Sequence, residues 1–344
     1  MGPPVHDRAT PGVFETGETV NDLNHLGSAP GELGYDAAPT DGGRYDASTL
    51  IGSGGMADVY LARDTQLGRE VAVKVFRGGE ETVSDRARRE RELTLLADLN
   101  HPGLVAVYDA GFTGSEQAPR RFIVMEYVAG RSLAHRIGRG PLKPRQVAEI
   151  GAQMADALSY VHGRGVVHRD VKPENILLGD EPALGYSVVA KLADFGVAQF
   201  IDGSRLTGDG SIMGTAAYIS PEQARGDEVG GPSDVYSLGL VLLESLTGER
   251  EYSGSAIEAA LARLQRPPAV PDDLAPEWHE LIGPMVADDP ASRPTAHDIA
   301  VTARELAQSL TTSASGGHTD RRRRERVPSD RRAGRLWGSR GRRK

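Results

Sequence analysis

Between Gly165 and Leu178 the chain reads GVVHRDVKPENILL. His168, Arg169, Asp170, Lys172, Glu174 and Asn175 lie between two apolar runs, Val166–Val167 and Ile176–Leu178. Runs that short and apolar are usually buried, and polar groups pressed between buried segments cost free energy unless each finds a partner. The cluster is either an internally satisfied network or one that meets a ligand.

Three further stretches bear on that choice. IGSGGMADVY, residues 51–60, places Gly52, Gly54 and Gly55 between two strand-like segments. Such a hairpin lets the backbone approach a polyphosphate closely, although ordinary hairpin turns share the pattern. A strand follows the glycines, which argues against a dinucleotide-binding turn leading into a helix. In VAVKVF, residues 71–76, Lys74 points to the opposite face from Val73 and Val75. It marks either a solvated edge or a cleft where it neutralises phosphate charge. A cleft lysine needs a carboxylate to hold it. Glu92 precedes Leu96 and Leu99 by four and seven and shares their inward stripe, whereas Glu90 lies off it. Finally, Asp194 in ADFG follows an apolar stretch around Lys191, and Asp-Phe-Gly alone reads equally well as a turn.

The elements that must position these residues divide the chain. Tyr45–Ile51, Val59–Arg63 and Glu70–Phe76 read as strands, as do LVAVYDAGF from Leu104 and RFIVMEYV from Arg121. A helix is expected from an N-cap at Ser84 to a stop at His101-Pro102. From Lys143 onward the long segments are helical: RQVAEIGAQMADALSYVH, DVYSLGLVLLESLTG, IEAALARL and AHDIAVTARELAQSL. A strand-rich part therefore precedes a larger helical part, an α+β arrangement in two lobes with a cleft between them. Residues 1–43 are rich in Gly, Pro, Asp and Thr without sustained period and are expected to be a disordered extension. The absence of cysteine excludes disulfides, zinc-thiolate sites and thiol catalysis. Without a long apolar window or a signal-peptide core, a soluble cytoplasmic protein is the expectation. The net charge of −8 hides a basic segment. From Asp320 to Lys344, eleven arginines and one lysine face three acids, so the preceding residues carry about −17. The stretch 311–344 is expected to be a disordered basic tail, either inert or in contact with nucleic acid or an anionic membrane surface.

In order along the chain stand GSGGMA, VAVK, a helix carrying Glu92, HRDVKPEN, DFG, SPE at 220–222 and SDVYSLG at 233–239. This series closely resembles the protein kinase family, and HRD-x-K-P-x-N resembles its serine/threonine branch. GGMADVYLARD, NHPGLVAVYDAG and GTAAYISPEQARGD are similar to bacterial, actinobacterial-type members. The resemblance implies a bilobal kinase fold over residues 44–310, with an N-lobe to about 127 and a C-lobe from about 128.

It also assigns roles. Asp170 would accept the substrate hydroxyl proton, and Lys172 would contact the transferring phosphoryl group. Lys74 and Glu92 would form the cleft ion pair. Asn175 and Asp194 would hold magnesium, or manganese in its place. ATP would be bound by Ile51, Gly52, Ser53, Gly54, Gly55, Met56, Ala57, Asp58 and Val59 of the hairpin, by Ala72 and Lys74, by Met125 as gatekeeper, by Glu126 and Val128 at the hinge, and by Leu177. Glu222 would pair with Arg293, and Asp234 would brace the catalytic loop. Arg169 implies control by phosphorylation of an activation loop whose candidate acceptors are Ser204, Thr207, Ser211 and Thr215. Asp209 stands where similar kinases often carry a second threonine. Ala57 replaces the third glycine of the hairpin, and GDEPALGY lengthens the stretch between Asn175 and Asp194. The implied activity is ATP-dependent phosphorylation of protein substrates, with self-association for autophosphorylation in trans. The competing readings are a nucleotide-binding scaffold and a small-molecule kinase sharing the catalytic loop. SPE, the preceding Gly214-Thr215 and Arg293 oppose the latter because they resemble a platform for protein substrates.

Overall fold

The computed structural model describes residues 43–55, 57–77, 98–115, 118–179, 186–194 and 215–323. Five antiparallel strands form the first sheet: β1 (Tyr45–Ser53), β2 (Ala57–Asp64), β3 (Arg69–Phe76), β4 (Val107–Ser115) and β5 (Ala118–Glu126), in the order β1-β2-β3-β5-β4. Period-two alternation sorts its faces. Val71, Val73 and Val75 of β3 pack with Tyr45, Ala62, Phe122 and Val124 in one buried cluster. Ala72 and Lys74 point the other way, opposite Met125 and Ile123 of β5. The first two strands outrun their expected bounds, leaving only Gly54, Gly55 and Met56 between β1 and β2. The expected helix from Ser84 lies outside the described residues apart from its last positions.

A second, three-stranded antiparallel sheet follows: β6 (Gly130–Ser132), β7 (Ile176–Gly179) and β8 (Val189–Leu192). Gly130 has φ +155°, and a Cβ there would lie 1.8 Å from the Leu178 carbonyl oxygen, so only glycine allows β6 to close on β7.

The helical part comprises α1 (Leu133–Ile137), α2 (Pro144–His162), α3 (Pro221–Arg225), α4 (Gly231–Thr247), α5 (Ala256–Gln265), α6 (Pro276–Met285) and α7 (Ala296–Arg323). α2 buries Val147, Ile150, Met154, Leu158 and Val161, an i, i+3/i+4 stripe that needs a facing helix. α7 covers it with Ile299, Ala300, Ala303 and Ala307 in the same core. α4 is buried on every side from Ser233 to Leu246 and forms the axis of this part. It meets α2 where Gly151 faces Leu242, leaving 3.2 Å for a Cβ. α4 starts at Gly231, three residues before the apolar pattern does, because Pro232 suits the first helical turn.

One expectation is corrected. α7 does not stop near Leu310 but runs to Arg323, through TTSASGGHTD, which composition assigned to a disordered tail. A helix nucleated on a packed face extends at one hydrogen bond per residue fixed, so weak helix formers can follow. Among the described residues no helix is long and apolar enough to cross a membrane.

Candidate functional site

The polar cluster of residues 168–175 is stretched between two anchors. Asp234, buried in the first turn of α4, accepts hydrogen bonds from the His168 N–H at 2.8 Å and the Arg169 N–H at 2.7 Å. Its Oδ2 also meets His162 Nε2 at the end of α2, at 2.8 Å. On the other side, His168 is fully buried, and its Nε2 lies 3.0 Å from the Ala193 carbonyl. A carbonyl can only accept, so Nε2 carries the proton and Nδ1 accepts from the Asp170 N–H at 3.3 Å. The loop between these anchors contains a strained residue, Arg169 at φ +67°, in a region costly for a residue with a side chain. Gln223 of α3 holds the Arg169 carbonyl at 3.0 Å.

That bracing aims the functional groups inward. Asp170 Oδ2 lies 2.9 Å from Lys172 Nζ and 3.0 Å from the donating Asn175 Nδ2. Its Oδ1 is buried with no hydrogen-bond donor among the described residues. Asn175 also ties the loop to itself through the Asp170 carbonyl at 2.9 Å, and its own carbonyl receives the Ala193 N–H at 2.8 Å. That last bond places Asp194, the second strained residue at φ +59°, beside the loop. Lys74 Nζ reaches Asp194 Oδ1 at 2.7 Å across 120 residues of sequence. Burial alone would raise the Asp194 carboxyl. The Lys74 ammonium overrides it, with help from Lys172, and holds the group below the usual carboxylate range.

Lys172, Asn175 and Asp194 line a cavity of about 1090 Å³ between the two parts of the molecule, which Lys74 and Asp170 do not line. Ile51, Val59, Ala72, Met125 and Leu177 form its apolar lining, and Lys172, Glu174, Asn175 and Asp194 its polar end. Glu126 and Val128 line the connection between the lobes. The Glu126 N–H is taken by the Ala106 carbonyl at 2.8 Å, while Val128 makes no main-chain hydrogen bond among the described residues. A hinge donor to a ligand would therefore come from Val128.

The remaining expected site residues are placed less directly. Gly52, Ser53, Gly54, Gly55, Ala57 and Asp58 form the hairpin but do not line the cavity. The Ser53 and Asp58 side chains instead meet Arg77, at 2.9 and 2.7 Å. Met56, Glu92, Ser204, Thr207 and Ser211 lie outside the described residues. Lys74, expected to pair with Glu92, is held here by Asp194. Thr215 opens a short 3₁₀ turn, Thr215–Ala217.

The expected architectural pair is formed. Arg293 Nη1 and Nη2 contact the two oxygens of Glu222 at 2.7 and 2.9 Å, both residues buried. Sequence reasoning missed one contact that its own pattern could have suggested. Lys191, the single charge in β8, bridges to Glu126 at 2.8 Å and so joins the small sheet to the end of β5.

Comparison with known proteins agrees with this geometry. The family described as "Protein kinase domain" matches residues 45–303. The serine/threonine-protein kinase PknB of Mycolicibacterium smegmatis is 41% identical over 259 residues, covering 73% of this chain and 40% of PknB. PknB of Mycobacterium leprae is 44% identical, covering 66% of this chain and 36% of the relative. Serine/threonine-protein kinase PrkC of Bacillus subtilis is 39% identical, covering 75% and 39%. The chain thus spans about two fifths of the length of these relatives. A crystal structure of the Mycobacterium tuberculosis PknI kinase domain superposes with TM-score 0.59 at 26% identity, covering 78% of this chain and 98% of that one.

Proposed function

Since the chain belongs to the protein kinase domain family, we propose that it transfers the γ-phosphoryl group of ATP to serine and threonine hydroxyls of proteins, as the names of its relatives suggest. The observation that carries this reading is Asp170 Oδ1, a buried acceptor with no donor among the described residues. A lone acceptor in such a place is costly unless a ligand supplies the hydrogen. An entering serine or threonine hydroxyl is such a donor, and Asp170 orients it and takes its proton. In a loose transition state the bond to the leaving oxygen is largely broken before the proton moves, so a carboxylate is basic enough. Lys172, 2.9 Å from the other oxygen of Asp170, lies where charge on the transferring group is met. The adenine ring takes the apolar end of the cavity, with Val128 as hinge donor.

The donor set also suits magnesium. Asp194 stays ionised because of Lys74, and Asn175 adds an amide oxygen, both hard ligands. When bound, that ion would supply positive charge against the phosphate oxygens. Lys74, paired with Asp194 at 2.7 Å, would supply positive charge toward the phosphates beside that ion.

Autophosphorylation in the segment between Asp194 and Glu222, with Thr207, Ser211 and Thr215 as acceptors, belongs to the same proposal. The test incubates the purified chain with magnesium and ATP beside Asp170→Asn, and maps phosphate by mass spectrometry. Transfer should fall by roughly 10²–10⁴-fold in the variant. Equal transfer by both proteins, or none by the parent with any protein or peptide substrate, overturns the reading.

A further inference from the structure

Glu174 follows Asp170 by four residues and lines the cavity. Its Oε1 lies 3.2 Å from Arg250 Nη2, while its Oε2 is buried without a partner among the described residues. Arg250 stands two residues beyond Gly248, which ends α4. The same guanidinium turns Nε to Glu244 Oε1 at 3.6 Å and lies 5.8 Å from the centre of the Tyr218 ring. Glu244 accepts the Tyr218 hydroxyl at 2.5 Å. One arginine thus joins the catalytic loop, the end of α4 and the segment leading to Ser220-Pro221.

Two neighbouring carboxylates at the edge of a cleft repel each other and attract a cation. Here the cation comes from the chain itself. The side chains of Glu174 and Glu244 are 16% and 9% exposed, whereas Arg250 is 45% exposed. The arginine therefore covers the acids from the solvent side, where an incoming polypeptide would arrive.

We infer that Arg250 occupies, in cis, an acidic subsite beside the phosphotransfer cleft and thereby sets protein-substrate specificity against cationic side chains. The inference rests on the phosphotransfer reading and names a specificity determinant within it. A substrate arginine or lysine would have to displace Arg250 from both acids, whereas a neutral residue displaces nothing. Without the guanidinium, Glu174 keeps two oxygens with no donor, beside Glu244. A substrate guanidinium supplies the missing charge and its paired N–H groups.

The ordinary alternative is a partly exposed ion pair that only fastens the end of α4, of the kind that contributes little. A peptide series separates the two. Around one acceptor serine, arginine replaces glutamine at one flanking position at a time, and kcat/KM is measured for each peptide. For the parent, no position should favour arginine. For Arg250→Ser, at least one position should favour arginine tenfold or more over glutamine, and adding Glu174→Gln should abolish that preference. The inference is overturned by a parent that already favours arginine tenfold, or by an Arg250→Ser protein that turns over the glutamine peptide with an unchanged ratio. Should Arg250→Ser fail to fold, Arg250→Gln serves with the same criteria, and the parent ratio stands without any variant. Absence of transfer by the parent to every peptide overturns the phosphotransfer reading, and this inference with it.

Discussion

Replacing Arg293 by lysine keeps the charge and should still destabilise the protein severely. Arg293 uses all of its donor capacity: Nε to the Ala287 carbonyl at 2.8 Å, Nη1 to Glu222 and the Pro232 carbonyl at 2.7 and 2.9 Å, and Nη2 to Glu222 and the Asp288 carbonyl at 2.9 and 3.0 Å. The guanidinium also lies 4.9 Å from the centre of the Tyr236 ring. Lysine offers three donors from one point, so at least two of five acceptors lose their partner. Hydrogen bonds to charged groups are worth about 1.5–3 kcal/mol each, and breaking a buried ion pair costs about 3–5 kcal/mol. The retained charge recovers part of that, so Arg293→Lys should cost about 3 kcal/mol, or roughly 6–12 °C in Tm for a domain of this size. Thermal denaturation followed by circular dichroism reads the shift. Arg293→Met should cost more, and Glu222→Leu combined with Arg293→Met less than Arg293→Met alone, because the double variant leaves no unpaired buried charge. A lysine variant within 2 °C of the parent (about 1 kcal/mol or less) would refute the claim that the fork geometry, rather than the charge, anchors α3 to α4.

The same pair gives the protein an acid limit. Burial would raise Glu222, but Arg293 and Ser233 hold its pKa at about 2, against an ordinary 4.5. The unfolded chain therefore binds the proton first. The pair's contribution, about 3 kcal/mol by that shift, is complete above pH ~5 and is lost as pH falls toward 2. Urea titrations across that range should show this loss in the parent and lack it in Glu222→Leu/Arg293→Met. Asp234→Asn leaves one acceptor oxygen for three donors. Phosphotransfer should drop at least tenfold with KM for ATP changed less than threefold, each tenfold being about 1.4 kcal/mol; an unaltered kcat would show that the loop holds without this brace. Gly130→Ala would place a methyl 1.8 Å from a backbone oxygen. It should lower Tm by several degrees and weaken ATP binding in calorimetry, and wild-type values for both would contradict the closeness of β6 and β7.

What the sequence made legible was chemistry and periodicity. Lys74 stood out as a charge within an apolar strand, Asp170 and Asn175 as part of a polar cluster between two apolar runs, and Asp194 through the order of the motifs, while the stripe on α2 is regular enough to stand without context. Two kinds of feature escaped. Positive φ at Arg169 and Asp194 is imposed by tertiary anchors on either side, and neither residue type announces it. Contacts such as Arg250 with Glu174 join positions 76 residues apart, and no local pattern encodes them. The run of α7 to Arg323 was missed for a related reason. Composition reports what a segment prefers in isolation, and this one continues a helix already fixed by its packed first turns.

The cover that α7 provides has a consequence for how the protein is made. α7 follows every other described element, and its Ile299, Ala300 and Ala303 complete the core around α2. Until that helix has left the ribosome, the side of α2 that it packs against stays uncovered. The His162 end of α2, which meets Asp234 beneath the catalytic loop, then stands on an incomplete foundation. Translation delivers residues in order at about 5–20 per second, so the phosphate-handling groups are all synthesised well before the helix that steadies them. The growing polypeptide would thus be catalytically silent. Arrested ribosome-bound chains of increasing length should gain ATP-dependent transfer only once Leu310 has emerged, and transfer by chains stopped before Ala296 would contradict this.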